Sequence, residues 1–336
     1  MLSCSDGTSG GSASAVAAAD ATGSDVSFAQ DASGFVDAIT GKNADAEAAS
    51  GGDASGDAGV VWSDAAPATA PATIGAIRPA DVIVPKDWAA KADWPLIVLL
   101  HGYGATGALQ DLYLGISQRA DKFGFVTVIP NGTLDSSGKL FWNASDACCN
   151  FAKVAIDDVG YVTSLIDEAI AKLRVDPARV YLIGHSNGAF MALRMACEQA
   201  DKITAIASLA GAANADAAKC QPTQAVSVLH IHGTLDPVIQ FGGGSVGLST
   251  YPSAAQTIAL WRKLDGCNET AIEDPAADFE AALLGAETTR KHWSGCAQST
   301  RADFWTINAG VHVPAFTSAF GDTLIAHLLN QKRTAK

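Results

Sequence analysis

The stretch Val180-Tyr181-Leu182-Ile183-Gly184-His185-Ser186-Asn187-Gly188-Ala189 decides how this chain is read. Its first four residues are β-branched, aromatic or aliphatic, the mark of a buried strand. From Ala189 to Ala200 the pattern turns helical. Between the two lies Gly-x-Ser-x-Gly, the spacing that sets a serine on a sharp strand-to-helix turn. Glycines suit such a turn because it is tight and the helix packs close to the strand. The pattern also occurs around Ser9 (residues 7–11) and Ser245 (residues 243–247), so by itself it settles nothing. Ser9 has no strand before it, and Ser245 follows Gly242-Gly243-Gly244, which predicts a flexible loop. Ser186 alone has a strand on one side and a helix on the other, which makes it the candidate nucleophile.

Working outward, apolar runs alternate with helical patterns. Pro95–Leu100, Phe125–Pro130, Ile203–Leu209 and Val226–Ile231 read as further strands. Residues 107–121, a segment from Asp157-Asp158 to Leu173, and Thr317–Leu329 read as helices, with the two aspartates as an N-terminal carboxylate cap. Continuous apolar strands separated by helices predict an α/β fold, a mostly parallel sheet covered on both faces. Sites in such sheets gather at the carboxyl ends of the strands.

A nucleophilic serine needs a base, and the base needs an orienting acid. On this type of sheet they follow in the order serine, acid, histidine. Asp236 lies on the loop Gly233-Thr234-Leu235-Asp236-Pro237, just past the run ending at His232. His312 follows the run Phe304–Ile307 and the turn Asn308-Ala309-Gly310. Of the seven histidines, it alone meets both the order and the loop requirement. His101, His185, His230 and His232 flank strand ends, while His292 and His327 fall in strand-like and helical runs. The oxyanion of an acyl intermediate requires two backbone amides. Asn187, after the nucleophile, and Tyr103, in the loop His101-Gly102-Tyr103-Gly104, are the candidates. His230 and His232 stand two apart on one strand face as a possible metal pair, but no further ligands accompany them, and packing is the simpler reading. No metal is expected.

Composition bounds the rest. The chain has 336 residues, 48% of them hydrophobic, and a net charge of −13. Residues 1–72 are dominated by Ala, Gly, Ser and Asp, carry −9 of that charge, and show no sustained apolar period. Such a segment cannot offset its ordering entropy, so a disordered tether is expected there, with one domain over 73–336. Neither part offers a basic patch for nucleic acid or an acidic membrane. No apolar run is long enough for a transmembrane helix.

Leu2-Ser3-Cys4 followed by a Ser/Gly/Asp-rich stretch resembles the cleavage site of bacterial lipoproteins, with Cys4 as the acylated residue. That reading expects a start upstream of Met1 or a trimmed chain. A lipid anchor and an extracytoplasmic location, secreted or on the cell surface, are the corresponding expectations. Six further cysteines lie in the domain, an even number that suggests disulfides formed in an oxidising compartment. The expected pairs are Cys197–Cys220 and Cys267–Cys296, with adjacent Cys148 and Cys149 either joined or reduced.

Taken together, Leu-Leu-His-Gly-Tyr-Gly (99–104), Phe-Trp-Asn (141–143) with Cys148-Cys149, Asp-Asp-Val-Gly-Tyr (157–161), Val-Asp-Pro-Ala-Arg-Val-Tyr (175–181), Gly-His-Ser-Asn-Gly (184–188), His-Ile-His-Gly-Thr-Leu-Asp-Pro (230–237) and Gly-Val-His (310–312) resemble the LpqC-type esterases. That group of α/β-hydrolases joins poly(3-hydroxybutyrate) depolymerases with feruloyl and acetylxylan esterases. The resemblance runs over residues ~75–330. It implies a secreted serine carboxylic ester hydrolase without a cofactor, working through an acyl-enzyme on Ser186, Asp236 and His312. Many relatives read His-Thr-Trp-Pro-Gly where this chain has His312-Val313-Pro314-Ala315. With no further domain after the last helix to grip an insoluble polyester, feruloyl or acetyl esters of plant polysaccharide, or soluble ester oligomers, are the expected substrates, with polyhydroxyalkanoate-type esters as the alternative. Trp142 and Tyr103 are the candidate pocket aromatics. The rival readings are an inactive surface lipoprotein that binds polysaccharide or a protein partner, and an intracellular lipase or thioesterase.

Overall fold

The computed structural model describes residues 69–246 and 248–333. The expected tether, apart from its last four residues, and Cys4 and Ser9 lie outside these.

Ten strands form the main sheet among the described residues. In chain order they are β1 (Thr73–Ile74), β2 (Ala80–Ile83), β3 (Trp94–Leu100), β4 (Val126–Ile129), β5 (Val175–His185), β6 (Ala205–Leu209), β7 (Ser227–Gly233), β8 (Ile272–Ala277), β9 (Thr288–Trp293) and β10 (Ala302–Ile307). Their order across the sheet is β1-β2-β4-β3-β5-β6-β7-β10-β9-β8. The six strands from β4 to β10 run parallel, and two antiparallel strands flank them on each side.

The buried spans of the parallel strands are mostly apolar because both their faces are covered. Along β3, Leu96, Val98 and Leu100 join one core, while Ile97 and Leu99 join the other. The first core takes Val162, Leu165, Ile166 and Ala169 of helix α2 (Asp158–Lys172), the apolar side of α3 (Asn187–Glu198), and Ile258 and Trp261 of α4 (Ala254–Leu264). The second takes Leu114 at the end of α1 (Gly107–Leu114) and Phe320, Leu324, Ile325 and Leu328 of α5 (Ser318–Leu329). The period-two alternation of one strand thus fills two cores.

Three expectations need correction. The single helix expected over 107–121 ends at Leu114, because Gly115 adopts a left-handed φ of 61° and stops it. A 3-10 turn and the short helix Ala120–Phe123 then complete the span. Asp157 caps α2, accepting from the Gly160 amide at 2.7 Å, but Asp158 does not. It is buried, takes the Arg78 guanidinium at 2.7 Å, and accepts from the Asn143 amide at 2.7 Å. Ser245 sits in a two-stranded hairpin, Gly244–Val246 with Ser249–Tyr251, and not in an open loop. The disulfides are Cys148–Cys149, Cys197–Cys220 and Cys267–Cys296.

Candidate active site

β5 ends at His185, and α3 begins at Asn187. Ser186 is the single residue between them, with φ 53° and ψ −121°. A positive φ in a residue other than glycine is strained, and strain of this kind gathers at functional sites. The neighbours explain why the strain persists. A Cβ on Gly184 would meet the Gly188 carbonyl oxygen at 2.1 Å, and one on Gly188 would meet the Leu100 oxygen at 2.2 Å. Both glycines are therefore dictated by close backbone approach, and they hold the serine between strand and helix.

Across the sheet, β7 and β10 deliver the other two residues. Asp236 lies three residues past Gly233, the end of β7, and His312 lies five past Ile307, the end of β10. The loops are tied together, since the Leu235 amide donates to the Gly310 oxygen at 2.9 Å and the Ala309 amide to Thr234 Oγ1 at 2.8 Å. His312 Nδ1 donates to Asp236 Oδ2 at 2.8 Å. The other carboxylate oxygen, Oδ1, accepts from the Val238 and Ile239 amides at 2.8 and 2.9 Å. Asp236 thus shapes its own turn with one oxygen and orients a histidine with the other. Burial alone pushes its carboxyl up, but hydrogen bonds from His232 and His312 outweigh that and hold it well below the usual carboxylate range. Asp236 and His312 are 5% exposed and Ser186 is 8% exposed, so the three lie just beneath the surface.

His185 packs directly on His312, with ring centroids 5.1 Å apart. Its Nε2 faces the His312 carbonyl oxygen at 3.0 Å, which requires Nε2–H there. Burial, then the nearness of His312, push His185 down to about 3, so it braces the loop as a neutral ring.

The loop after β3 closes the site on the other side. A Cβ on Gly102 would lie 3.3 Å from the Ser186 Cβ, so this loop abuts the elbow. Gln110 Oε1 pins it by accepting from the Gly102 amide at 3.2 Å. His101 is fully buried, donates from Nδ1 to the Gly102 oxygen at 2.8 Å, and accepts at Nε2 from the Gly132 amide at 2.9 Å. Burial pushes His101 down to about 4, so it is a neutral strut. Tyr103 is half-buried. It gives its hydroxyl to Asp135 and meets Phe151 edge-to-face at 5.6 Å.

Trp142, expected as a pocket aromatic, is fully buried beneath the site and does not line it. Its Nε1 donates to the His101 oxygen at 3.0 Å. Its backbone forms a clasp with the Asn187 side chain: the Trp142 amide donates to Oδ1 at 2.7 Å, and its carbonyl accepts from Nδ2 at 3.0 Å. The same Nδ2 lies 3.6 Å from Cys148 Sγ. Asn187 therefore anchors the elbow to the loop that carries the adjacent cysteines. Sequence reasoning used only its amide. The exposed apolar side chains of Phe151, Leu235 and Val311 also escaped it, since single apolar residues in loops carry no periodic signal.

The possible metal pair is occupied by protein. His232 Nε2 donates to the Ile239 oxygen at 2.7 Å, and His230 Nδ1 lies 3.3 Å from Ser208 Oγ. Among the described residues, the one group of three with metal-ligand spacing is Asp274, His292 and Asp303, on β8, β9 and β10. Arg301 already holds Asp303 there at 2.7 and 3.2 Å.

With this geometry in place, the relatives can be compared. NocK of Nocardia uniformis subsp. tsuyamanensis, named as an esterase, is 29% identical over 253 residues, 72% of each chain. Feruloyl esterase B of Piromyces equi is 26% identical over 227 residues, 65% of this chain and 39% of that protein, so the chain spans less than half of it. The acetyl xylan esterase structure from Aspergillus awamori superposes with a TM-score of 0.54 at 15% identity, over 74% of this chain and 93% of that one, a likeness of fold. The model of the phospholipase/carboxylesterase family matches residues 80–257, more than half of the chain. The chain belongs to the phospholipase/carboxylesterase family and is an esterase of the α/β-hydrolase fold.

Proposed function

We propose that the chain hydrolyses carboxylic esters through an acyl-enzyme on Ser186, with His312 as general base and Asp236 as the acid that orients it. The observation that carries this reading is the 2.8 Å bond from His312 to Asp236, at strand ends shared with the strained Ser186 turn. Because Nδ1–H points at the carboxylate, Nε2 of a neutral His312 is a lone pair able to take the proton of Ser186. Attack on the ester carbonyl then gives a tetrahedral oxyanion. The Asn187 amide has no intrahelical partner, being the first residue of α3, and together with the Tyr103 amide it would receive that charge. His312 returns the proton to the departing alcohol, and water repeats the sequence to release the acid. No step passes through a metal or cofactor.

Feruloyl or acetyl esters of plant polysaccharide are the proposed substrates, with polyhydroxyalkanoate-type esters as the alternative. Relatives named feruloyl esterase B and acetylxylan esterase/xylanase support the first. Leu235 and Val311, each next in sequence to a proposed triad residue, expose apolar side chains of the kind that could meet an aromatic acyl group. Three disulfides favour export to an oxidising compartment. Lipid anchoring through Cys4 and a tether over 1–72 belong to the same proposal.

Turnover of methyl ferulate, acetylated xylan and hydroxybutyrate oligomers by one preparation tests the substrate. A preference for the oligomers would reverse the choice. No turnover of any ester, p-nitrophenyl acetate included, would leave a binding protein.

A further inference from the structure

The acid of the proposed triad serves two histidines, and the mechanism above uses only one. His232 Nε2 lies 3.3 Å from Asp236 Oδ2, the same oxygen that accepts from His312. Behind it, His232 Nδ1 is 3.5 Å from His230 Nε2, and His230 Nδ1 is 3.3 Å from Ser208 Oγ. His230, His232 and Ser208 are all buried. Phe241 covers His232 edge-on at 5.8 Å, and Phe304 stacks on His230 at 5.8 Å. A file of four polar side chains therefore runs from β6 through β7 to Asp236, walled by aromatic rings.

The partners fix the proton on His232. His232 Nε2 faces two acceptors, the Ile239 carbonyl at 2.7 Å and the carboxylate at 3.3 Å, so it must carry hydrogen. His232 Nδ1 is then a lone pair, 3.5 Å from His230 Nε2. His230 Nδ1 lies against Ser208, 3.3 Å from its Oγ. Burial and the neighbouring His232 push His230 well below the usual histidine range, which agrees with a neutral ring. The titratable groups that face Asp236 from other elements are His312, His185 at the end of β5, and Tyr251 of the hairpin before α4.

We propose that His232, oriented by His230 and Ser208, is a positioning residue that tunes the triad by sharing the Asp236 carboxylate with His312. Resting on the triad reading above, the proposal makes His232, whose Nε2–H donates to the Ile239 carbonyl and lies 3.3 Å from Oδ2, a second positive edge competing for that oxygen. From that distance it takes up part of the charge that would otherwise stabilise protonated His312. Removing that donor lets Asp236 act on His312 alone, so His312 holds its proton to higher pH and the carboxylate is less firmly aimed.

The test is the pH dependence of kcat/KM, with kcat and KM measured separately, for His232→Leu, His232→Gln and Asp236→Asn. His232→Leu should move the acid limb upward by about half to one pH unit and lower kcat roughly tenfold with KM unchanged, the scale of one hydrogen bond to a charged group. A glutamine amide can place N–H near the position of Nε2, so His232→Gln should restore the limb and most of kcat. If His232→Leu does not fold, His232→Asn takes its place, since its shorter side chain cannot reach that position. An acid limb that stays put in folded His232→Leu, or identical profiles for the Gln and Asn variants, would overturn the proposal. Full activity of Asp236→Asn would instead overturn the triad reading on which it rests.

Discussion

His312 and His292 each place Nδ1 2.8 Å from an aspartate oxygen, Asp236 in one case and Asp274 in the other. Bond length does not distinguish the two pairs; their settings do. His312 and Asp236 sit on loops past the carboxyl ends of parallel strands, and the Asp236 side chain is fully buried. His292 and Asp274 sit within the antiparallel strands at the sheet's edge, and the Asp274 side chain is 33% exposed. The first pair adjoins the Ser186 turn. The second adjoins Asp303 and its arginine clamp. Position on the sheet, more than pairing, separates a candidate reaction centre from a surface ion pair.

The sharpest way to break this contrast is to remove the nucleophile. Ser186→Ala should lose on the order of 10⁵–10⁶ in ester hydrolysis, while Ser245→Ala and Ser9→Ala should retain full activity. Comparable losses in Ser245→Ala would move the reaction centre. The two aspartates come next. Asp236→Asn should lose roughly 10⁴ in kcat with little change in KM, because the wrong imidazole tautomer would face Ser186. Asp274→Asn should stay within about twofold, as expected of a partly exposed pair. Equal losses from both would erase the distinction. Chelation probes the same point: activity should survive EDTA, and loss of activity restored by a divalent metal would shift attention to Asp274, His292 and Asp303.

How far the sequence reaches follows from the same contrast. The parallel strands were legible because burial on both faces makes them near-continuous apolar runs, as at 96–100 and 180–183. β1, β2 and β8 were missed. They are short or edge strands with exposed faces, and Ile272–Ala277 reads as two acids and a proline among small residues. Ser186, Asp236 and His312 could be picked out because a strand end and a fixed order constrain them. Trp142 was misjudged because an aromatic beside a motif looks the same in sequence whether it faces a ligand or the floor. The Asn187 clasp and the sharing of Asp236 by His232 join residues far apart along the chain or across a turn, and no local period encodes such pairings.

Another buried aspartate, Asp265, extends the contrast on a smaller scale. Asp265 is fully buried and accepts from the Val226 amide at 3.2 Å through one oxygen, while its other oxygen has no partner. Burial pushes its carboxyl up to about 7. A folded value above the unfolded one means that the fold binds the extra proton between about pH 4 and 7. Stability from this group therefore falls as pH rises through that window and is flat above it. Asp265→Asn should raise the unfolding midpoint by a few degrees at pH 8 and change little at pH 4. An equal shift at both values would contradict the assignment. Asp236, with donors on both oxygens, should show the opposite dependence.

The most direct test of the central claim is to treat the folded protein with a fluorophosphonate, which reacts with activated serines, and map the adduct by peptide mass. One adduct is expected, on Ser186, formed in step with loss of esterase activity, absent in Ser186→Ala and strongly slowed in Asp236→Asn but not in Asp274→Asn. An adduct on another serine, or full esterase activity with Ser186 modified, would contradict it.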